Sequence, residues 1–249
     1  MPKAILLDIS GVLYEDARPL PGAVEAVRHL CDKGYPLRLV TNTSRLTAAE
    51  IHRQLSGMGF GLSPGQIFSA PQAARRYLAA HGLRPYCLIH PNLEEEFADL
   101  LDLPEPNAVL VGDAESRFDY AHLERAFHLL IDGAPLIAMG DNRYFHSRGA
   151  LRLDAGPFVR ALEYAADTQA LVLGKPSADF FNGALHALGV APQDALMIGD
   201  DVEGDVLGAQ KAGLQACLVR TGKYREGDEA RAPGAGLAAD LADAVRRYC

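Results

Sequence analysis

Short apolar runs and longer amphipathic stretches alternate along almost the whole chain. AILLDI, close to the N-terminus, is continuously apolar up to Asp8, the pattern of a strand buried on both faces. PGAVEAVRHLCDK follows with apolar residues at helical spacing, Pro21 ahead of it and Gly34 as its stop. PLRLVTN repeats the strand pattern, and Thr47 and Glu50 in TAAEIHRQL have capping-box spacing for a further helix. In the last third, ALVLG, DALMIGD and QACLVR read as strands, with SADFFNGALHALG and VEGDVLGAQKAG as the helices between them. Strands separated by helices predict a parallel sheet covered on both faces. EGDEARAPGAGLAAD reads as a polar surface loop before a final helix, LADAVRRYC.

The middle of the chain has a different rhythm. YCLIH, NAVLVGD and PLIAMG predict a second, smaller sheet, with DYAHLERAFHLLID as a helix between two of its strands. No Gly/Ser linker, low-complexity run or internal repeat marks a boundary. The expected class is therefore α/β. A Rossmann-like parallel-sheet core takes residues 1–80 and 168–249, and an inserted smaller α/β unit takes residues 81–167.

Composition narrows the partners. A chain of 249 residues, 49% hydrophobic and 22% charged, is globular in type and long enough for a core plus an insertion. The formal charge of −8 argues against a nucleic-acid or anionic-membrane surface. Small anionic ligands stay open, because a bound divalent cation reverses the local sign. Cys31, Cys87, Cys217 and Cys249 are widely spaced and form no CxxC pair, so neither a zinc site nor a disulfide framework is expected. A reducing, cytoplasmic setting follows. The apolar run before Asp8 is too short for a secretory signal, and no 18-residue apolar stretch exists.

Ligands of open parallel sheets bind beyond the carboxyl ends of the strands. Those ends carry Asp8 after AILL, then Thr41, Asn42 and Thr43 after LRLV, Lys175 after LVLG, and Asp200 and Asp201 after ALMIG, with Asp205 close behind. Each has an ordinary reading by itself: a turn former, a helix cap, a solvated lysine, acids favouring a helix N-terminus. Their convergence on one sheet edge suggests metal-assisted phosphoryl transfer. Asp8 and Asp200 offer the hard oxygen ligands that Mg²⁺ prefers. Thr41, Asn42, Thr43 and Lys175 are the candidate groups for phosphoryl oxygens. A carboxylate beside the cation can also attack phosphorus and form an aspartyl phosphate.

These segments resemble the haloacid dehalogenase superfamily of phosphatases, whose four motifs match DISGVL, VTNTS, GKP and IGDDVEGD in order. The insertion lies where members with the larger α/β (type IIA) cap carry theirs. The resemblance implies that Asp8 is nucleophile and Mg²⁺ ligand, and that Ser10 gives its backbone carbonyl to the metal. It implies that Thr41 and Asn42 hold the phosphoryl group and that Lys175 neutralises nucleophile and phosphate. Asp200 would ligate the metal, supported by Asp201 and Asp205. A cap loop with Asn142, Arg143 and the Asp154 to Gly156 segment would choose the substrate, a small phosphorylated molecule or a phosphorylated side chain. Self-association as a homodimer through the cap is implied in the same way.

One position departs from the family pattern. Most phosphatases of the superfamily place a second Asp, a general acid and base, two residues after the nucleophile; here that residue is Ser10. General acid catalysis is worth about 10²- to 10⁴-fold, and an alkoxide leaving group needs the proton most. Imidazole, whose conjugate acid has a pKa of about 6.5, and a departing phosphate need it less. Pyrophosphate and P–N compounds such as phosphohistidine and phospholysine are therefore the expected substrates. The alternatives are a small alkyl phosphate (sugar, nucleotide or pyridoxal phosphate), a pseudoenzyme that binds phosphorylated partners, and a dehalogenase, for which the acids at 200–205 have no use.

Overall fold

The computed structural model describes residues 1–147 and 150–249. Strand β1 (Ala4–Asp8) leads through a short hairpin, β2 (Tyr14–Glu15) and β3 (Arg18–Pro19), to helix α1 (Ala23–Asp32), β4 (Leu37–Thr41), α2 (Ala48–Gly57) and β5 (Ile67–Ser69). There follow α3 (Ala70–His81), β6 (Pro85–Leu88), β7 (Ala108–Val111), α4 (Tyr120–Ile131) and β8 (Leu136–Ala138). Next come β9 (Tyr144–Ser147), β10 (Ala150–Leu153), α5 (Gly156–Ala166) and β11 (Leu171–Val172). The last part holds α6 (Ala178–His186), β12 (Ala195–Gly199), a π-helical segment Val202–Leu207 running into α7 (Gly208–Lys211), β13 (Gln215–Val219), β14 (Gly236–Ala238) and α8 (Leu241–Tyr248).

Two compact units result. One comprises Met1–Thr41, Ala48–Phe68 and Lys175–Cys249, the other Asn42–Thr47 and Ser69–Gly174. The first is built on a six-stranded sheet of order β14-β13-β12-β1-β4-β5. All five residues of β1 are buried, as its apolar run requires of a central strand. It pairs in parallel with β12 on one side (Leu7 with Ile198) and β4 on the other (Asp8 with Val40). Helix α1 buries Ala23, Ala26, Val27 and Leu30, the i, i+3, i+4, i+7 face of an amphipathic helix. The parallel core expected from the sequence is this unit.

The second unit has a four-stranded sheet of order β11-β8-β7-β6, whose neighbours all pair in parallel. Ala70, Ala74 and Leu78 of α3 pack with Ile89, Phe97 and Leu110 in one hydrophobic cluster. Ala126 and Leu130 of α4 pack with Val159 and Leu162 of α5, Val109 and Leu136 in another. A capping box starts α3: Ser69 Oγ accepts from the Gln72 N–H, and Gln72 Oε1 accepts from the Ser69 N–H. The 70–81 helix thus has its packing partners in the second unit, whereas the sequence reading starts the cap at residue 81.

Two strand assignments are corrected. ALVLG is not a strand of the core sheet. Leu171 pairs with Ile137 and Val172 with Ala138, so its two strand residues form the edge of the second sheet. An apolar run says that a strand is buried, not in which sheet. EGDEARAPGAGLAAD is not loop throughout, because it contains β14, which pairs in parallel with β13 (Leu218 with Leu237). A three-residue edge strand is too short for its alternation to register. Among the described residues no helix is long and apolar enough to cross a membrane.

Candidate active site

The parallel register of β4, β1 and β12 brings Thr41, Asp8 and Gly199 to one edge of the core sheet. Asp8 ends β1 at 8% exposure, and Asp200, directly after β12, is 1% exposed. Asp201 then caps the π-helical segment, its Oδ1 accepting from the N–H groups of Glu203 and Gly204 at 3.0 Å each. That turn folds Asp205 back beneath the strand end. Gly199 is needed there, since a Cβ would overlap the Asp205 carboxylate.

Lys175 answers the question posed by a carboxylate at a buried strand end. Its Nζ donates to Asp8 Oδ1 and to Asp205 Oδ1, both at 2.6 Å, with Lys175 itself buried. Burial alone would pull the ammonium pKa down, but the Asp205 and Asp8 carboxylates outweigh it and hold the group charged above its ordinary range. Lys175 reaches Asp8 although the strand before it, β11, belongs to the other sheet.

One ammonium does not balance three buried carboxylates. Asp8, Asp200 and Asp205 present oxygens within 4.8 Å of one another. Burial first, then the charges of Asp8 and Asp205, raise Asp200 above the usual carboxylate range. Burial and the Asp8 charge raise Asp205, with Lys175 opposing. Asp205 spends Oδ1 on Lys175 and Oδ2 on the Asp201 N–H at 3.2 Å. Asp200 Oδ2 accepts from the Lys223 N–H at 2.7 Å, while Asp200 Oδ1 is buried with no hydrogen-bond partner among the described residues. A buried carboxylate oxygen without a donor is costly. A hard divalent cation removes that cost, and the all-oxygen donor set suits Mg²⁺. The residues fit such an ion.

The remaining expected site residues fall as follows. Ser10 is exposed, in the turn where the Gly11 N–H donates to the Tyr14 carbonyl at 2.9 Å. Asp201 turns its carboxylate to the helix cap and to Lys223 Nζ at 3.0 Å, so it stands beside the acid cluster rather than in it. Thr41 is buried and Thr43 half-buried. The Asn42 side chain packs so closely on Gly174 that a Cβ there would lie 2.7 Å from Asn42 Oδ1. In the second unit, Arg143 and Asp154 meet at the base of the β9–β10 hairpin, where the Asp154 N–H donates to the Arg143 carbonyl at 3.2 Å. Burial raises the Asp154 carboxyl pKa, opposed by the Ala155 N–H.

Sequence reading missed the loop after β13. Gly222 (φ 59°) and Gly11 (φ 80°) press against each other and against Asp200, with no room for a Cβ at either. Thr221 Oγ1 donates to the Gly11 carbonyl. The signal was available, because RTGKY follows a strand whose carboxyl end lies on the same sheet edge.

Two family models match the chain, haloacid dehalogenase-like hydrolase over residues 5–100 and a second described as HAD-hydrolase-like over residues 172–244. A Xenopus laevis protein named phospholysine phosphohistidine inorganic pyrophosphate phosphatase is 43% identical, covering 91% of this chain and 86% of its own length. The chain belongs to the haloacid dehalogenase-like hydrolases. The family expected from its four motifs is therefore the family found. A second relative of this hydrolase family, the Bos taurus haloacid dehalogenase-like hydrolase domain-containing protein 2, is also 43% identical, over 91% of this chain and 87% of its own. Among solved structures, a 4-nitrophenylphosphatase from Thermotoga maritima is similar with a TM-score of 0.90 at 25% identity, covering 98% of this chain and 97% of that one.

Proposed function

We propose that this chain is a Mg²⁺-dependent phosphohydrolase that works through an aspartyl phosphate on Asp8, with pyrophosphate or P–N phosphorylated compounds as substrates. The observation that carries this reading is the buried cluster of Asp8, Asp200 and Asp205, with Lys175 on Asp8 and one Asp200 oxygen left without a donor. Asp8 and Asp200 would hold the cation, which would supply charge neutralisation and Lewis acidity at the phosphoryl oxygens. Lys175 fixes one oxygen of Asp8, leaving the other to attack phosphorus. Asp205 anchors Lys175, and Asp201 holds the turn that delivers Asp205. Thr41, Asn42 and Thr43 bind the phosphoryl group, Ser10 would give its carbonyl to the metal, and Arg143 and Asp154 in the cap bear on substrate choice.

Ser10 supports the substrate class. A serine hydroxyl does not titrate near neutral pH, so leaving groups that need little protonation are favoured. The names of the 43%-identical Xenopus laevis relative point the same way. A homodimer through the cap and a cytoplasmic setting belong to this reading. Exposed Tyr164, Leu151 and Leu153 in the second unit support the first, and four free cysteines support the second.

The test is phosphate release from pyrophosphate, phosphohistidine, phospholysine and alkyl phosphates, with Mg²⁺ and with EDTA. Release that needs Mg²⁺, favours the first three and vanishes in Asp8→Asn is expected. Preference for one alkyl phosphate would move the substrate to the alternative class, and silence on every compound would leave a phosphate-binding pseudoenzyme. Ser10→Asp should raise alkyl phosphate turnover relative to pyrophosphate; no change would sink the leaving-group argument.

A further inference from the structure

The buried lysine of the site is committed to two carboxylates, which raises the question of what meets the group that departs. Cleavage of pyrophosphate forms a bond from Asp8 to one phosphorus and breaks the bridging P–O bond. The electron pair leaves with the bridging oxygen, on an orthophosphate carrying about two negative charges near neutral pH. With Lys175 and a divalent cation balancing the three carboxylates, no positive charge is left over for the departing group, which leaves on the side of phosphorus opposite Asp8. A further cation would meet its charge.

Lys223 is placed to provide one. It follows β13 on the same sheet edge, and its backbone N–H is fixed on Asp200 Oδ2 at 2.7 Å. Its side chain is 64% exposed, unlike that of Lys175 at 6%. It rests on Asp201 Oδ2 at 3.0 Å, a half-solvated pair of the kind that exchanges partners at little cost. Asp8 and Asp205 also act on its charge, so it lies within the field of the acid cluster. We propose that Lys223 is a specificity-determining residue that swings from Asp201 to the departing phosphate, and so favours substrates whose leaving group is itself a phosphate. The proposal deepens the function proposed above and rests on it.

The experiment compares kcat/KM for pyrophosphate and for p-nitrophenyl phosphate, whose leaving group bears no phosphate, in wild type, Lys223→Met and Lys223→Arg. Loss of one charge-assisted contact to phosphate should lower the pyrophosphate to p-nitrophenyl phosphate ratio about tenfold or more in Lys223→Met. The loss should appear in kcat for pyrophosphate and not in KM alone, because the contact strengthens as the phosphate departs, and Lys223→Arg should restore most of it. Melting temperatures of all three proteins control for the lost Asp201 contact. A ratio that stays constant while both activities fall together would overturn the proposal and make Lys223 a support for Asp201. Wild type that cleaves p-nitrophenyl phosphate but not pyrophosphate would remove the underlying function and the proposal with it.

Discussion

Asp113 in the second unit and Asp200 in the first are buried to similar degrees, at 3% and 1% exposure. Their surroundings are opposite. Asp113 Oδ1 accepts from the Glu115 N–H at 3.0 Å, its Oδ2 is paired with Arg45 Nε, and its own N–H donates to Ser44 Oγ at 3.0 Å. Arg45 in turn lies over the Phe145 ring at 4.7 Å. Everything that a buried carboxylate requires is supplied by the chain. Asp200 has one oxygen on a backbone N–H, the other without a hydrogen-bond partner among the described residues, and two carboxylates as neighbours. Burial of an acid is thus not what marks a functional site. The mark is a burial that the protein leaves uncompensated, in a place where an external cation completes it.

The largest effects should separate these two acids most sharply. Asp200→Ala should cut Mg²⁺-dependent phosphate release more than about a hundredfold, the loss expected when a metal site is dismantled. Measured in EDTA, its melting temperature should not fall, because an uncompensated charge has gone. Asp113→Ala removes the Arg45 Nε partner and the acceptor of the Glu115 N–H, leaving Arg45 with Glu115 at 3.7 Å, and should cost roughly 1 to 3 kcal/mol of stability in a denaturant titration. The contrast breaks if Asp200→Ala is the less stable of the two without metal.

A smaller effect is expected from the ion itself. Mg²⁺ at about a hundred times its dissociation constant should stabilise the wild-type fold by about 2.7 kcal/mol. Asp200→Asn should lose most of that gain, and Asp113→Asn should keep it. Thermal melts across a Mg²⁺ series read both. Equal gains in the two variants would place the ion elsewhere.

How much of this was legible beforehand depends on the length of the signal. β1 and β12 are five-residue apolar strands ending on Asp8 and just before Asp200, so their burial and order could be read directly. β5 and β14, three residues each, left no usable alternation. Lys175 was chosen for a reason the structure alters. It does not end a strand of the core sheet, yet the chain brings it to Asp8 as it re-enters the first unit. Asp201 and Asp205 look equivalent in GDDVEGD, and only the π-helical turn distinguishes the cap from the anchor. Gly11 and Gly222 were illegible because their role is the space around Asp200, which involves residues far apart in sequence.

The smallest effect, and the most specific, is in the pH dependence of metal-free stability. Asp200 and Asp205 have pKa values raised above the ordinary 3.8, so the folded state retains protons that the unfolded chain releases. Stability then falls as pH rises from 3.8 through the raised values. Asp201 is lowered from 3.8, and its contribution is lost only as pH falls below that value, so it works in the opposite sense and outside this window. Lys175 is raised above 10.5, and its contribution is complete throughout. In EDTA, therefore, wild type should lose stability between about pH 5 and about pH 8 more steeply than Asp200→Asn, and saturating Mg²⁺ should flatten the wild-type curve. If wild type and Asp200→Asn run parallel in EDTA, the partnerless oxygen of Asp200 holds no displaced proton, and its difference from Asp113 is one of geometry without electrostatic consequence.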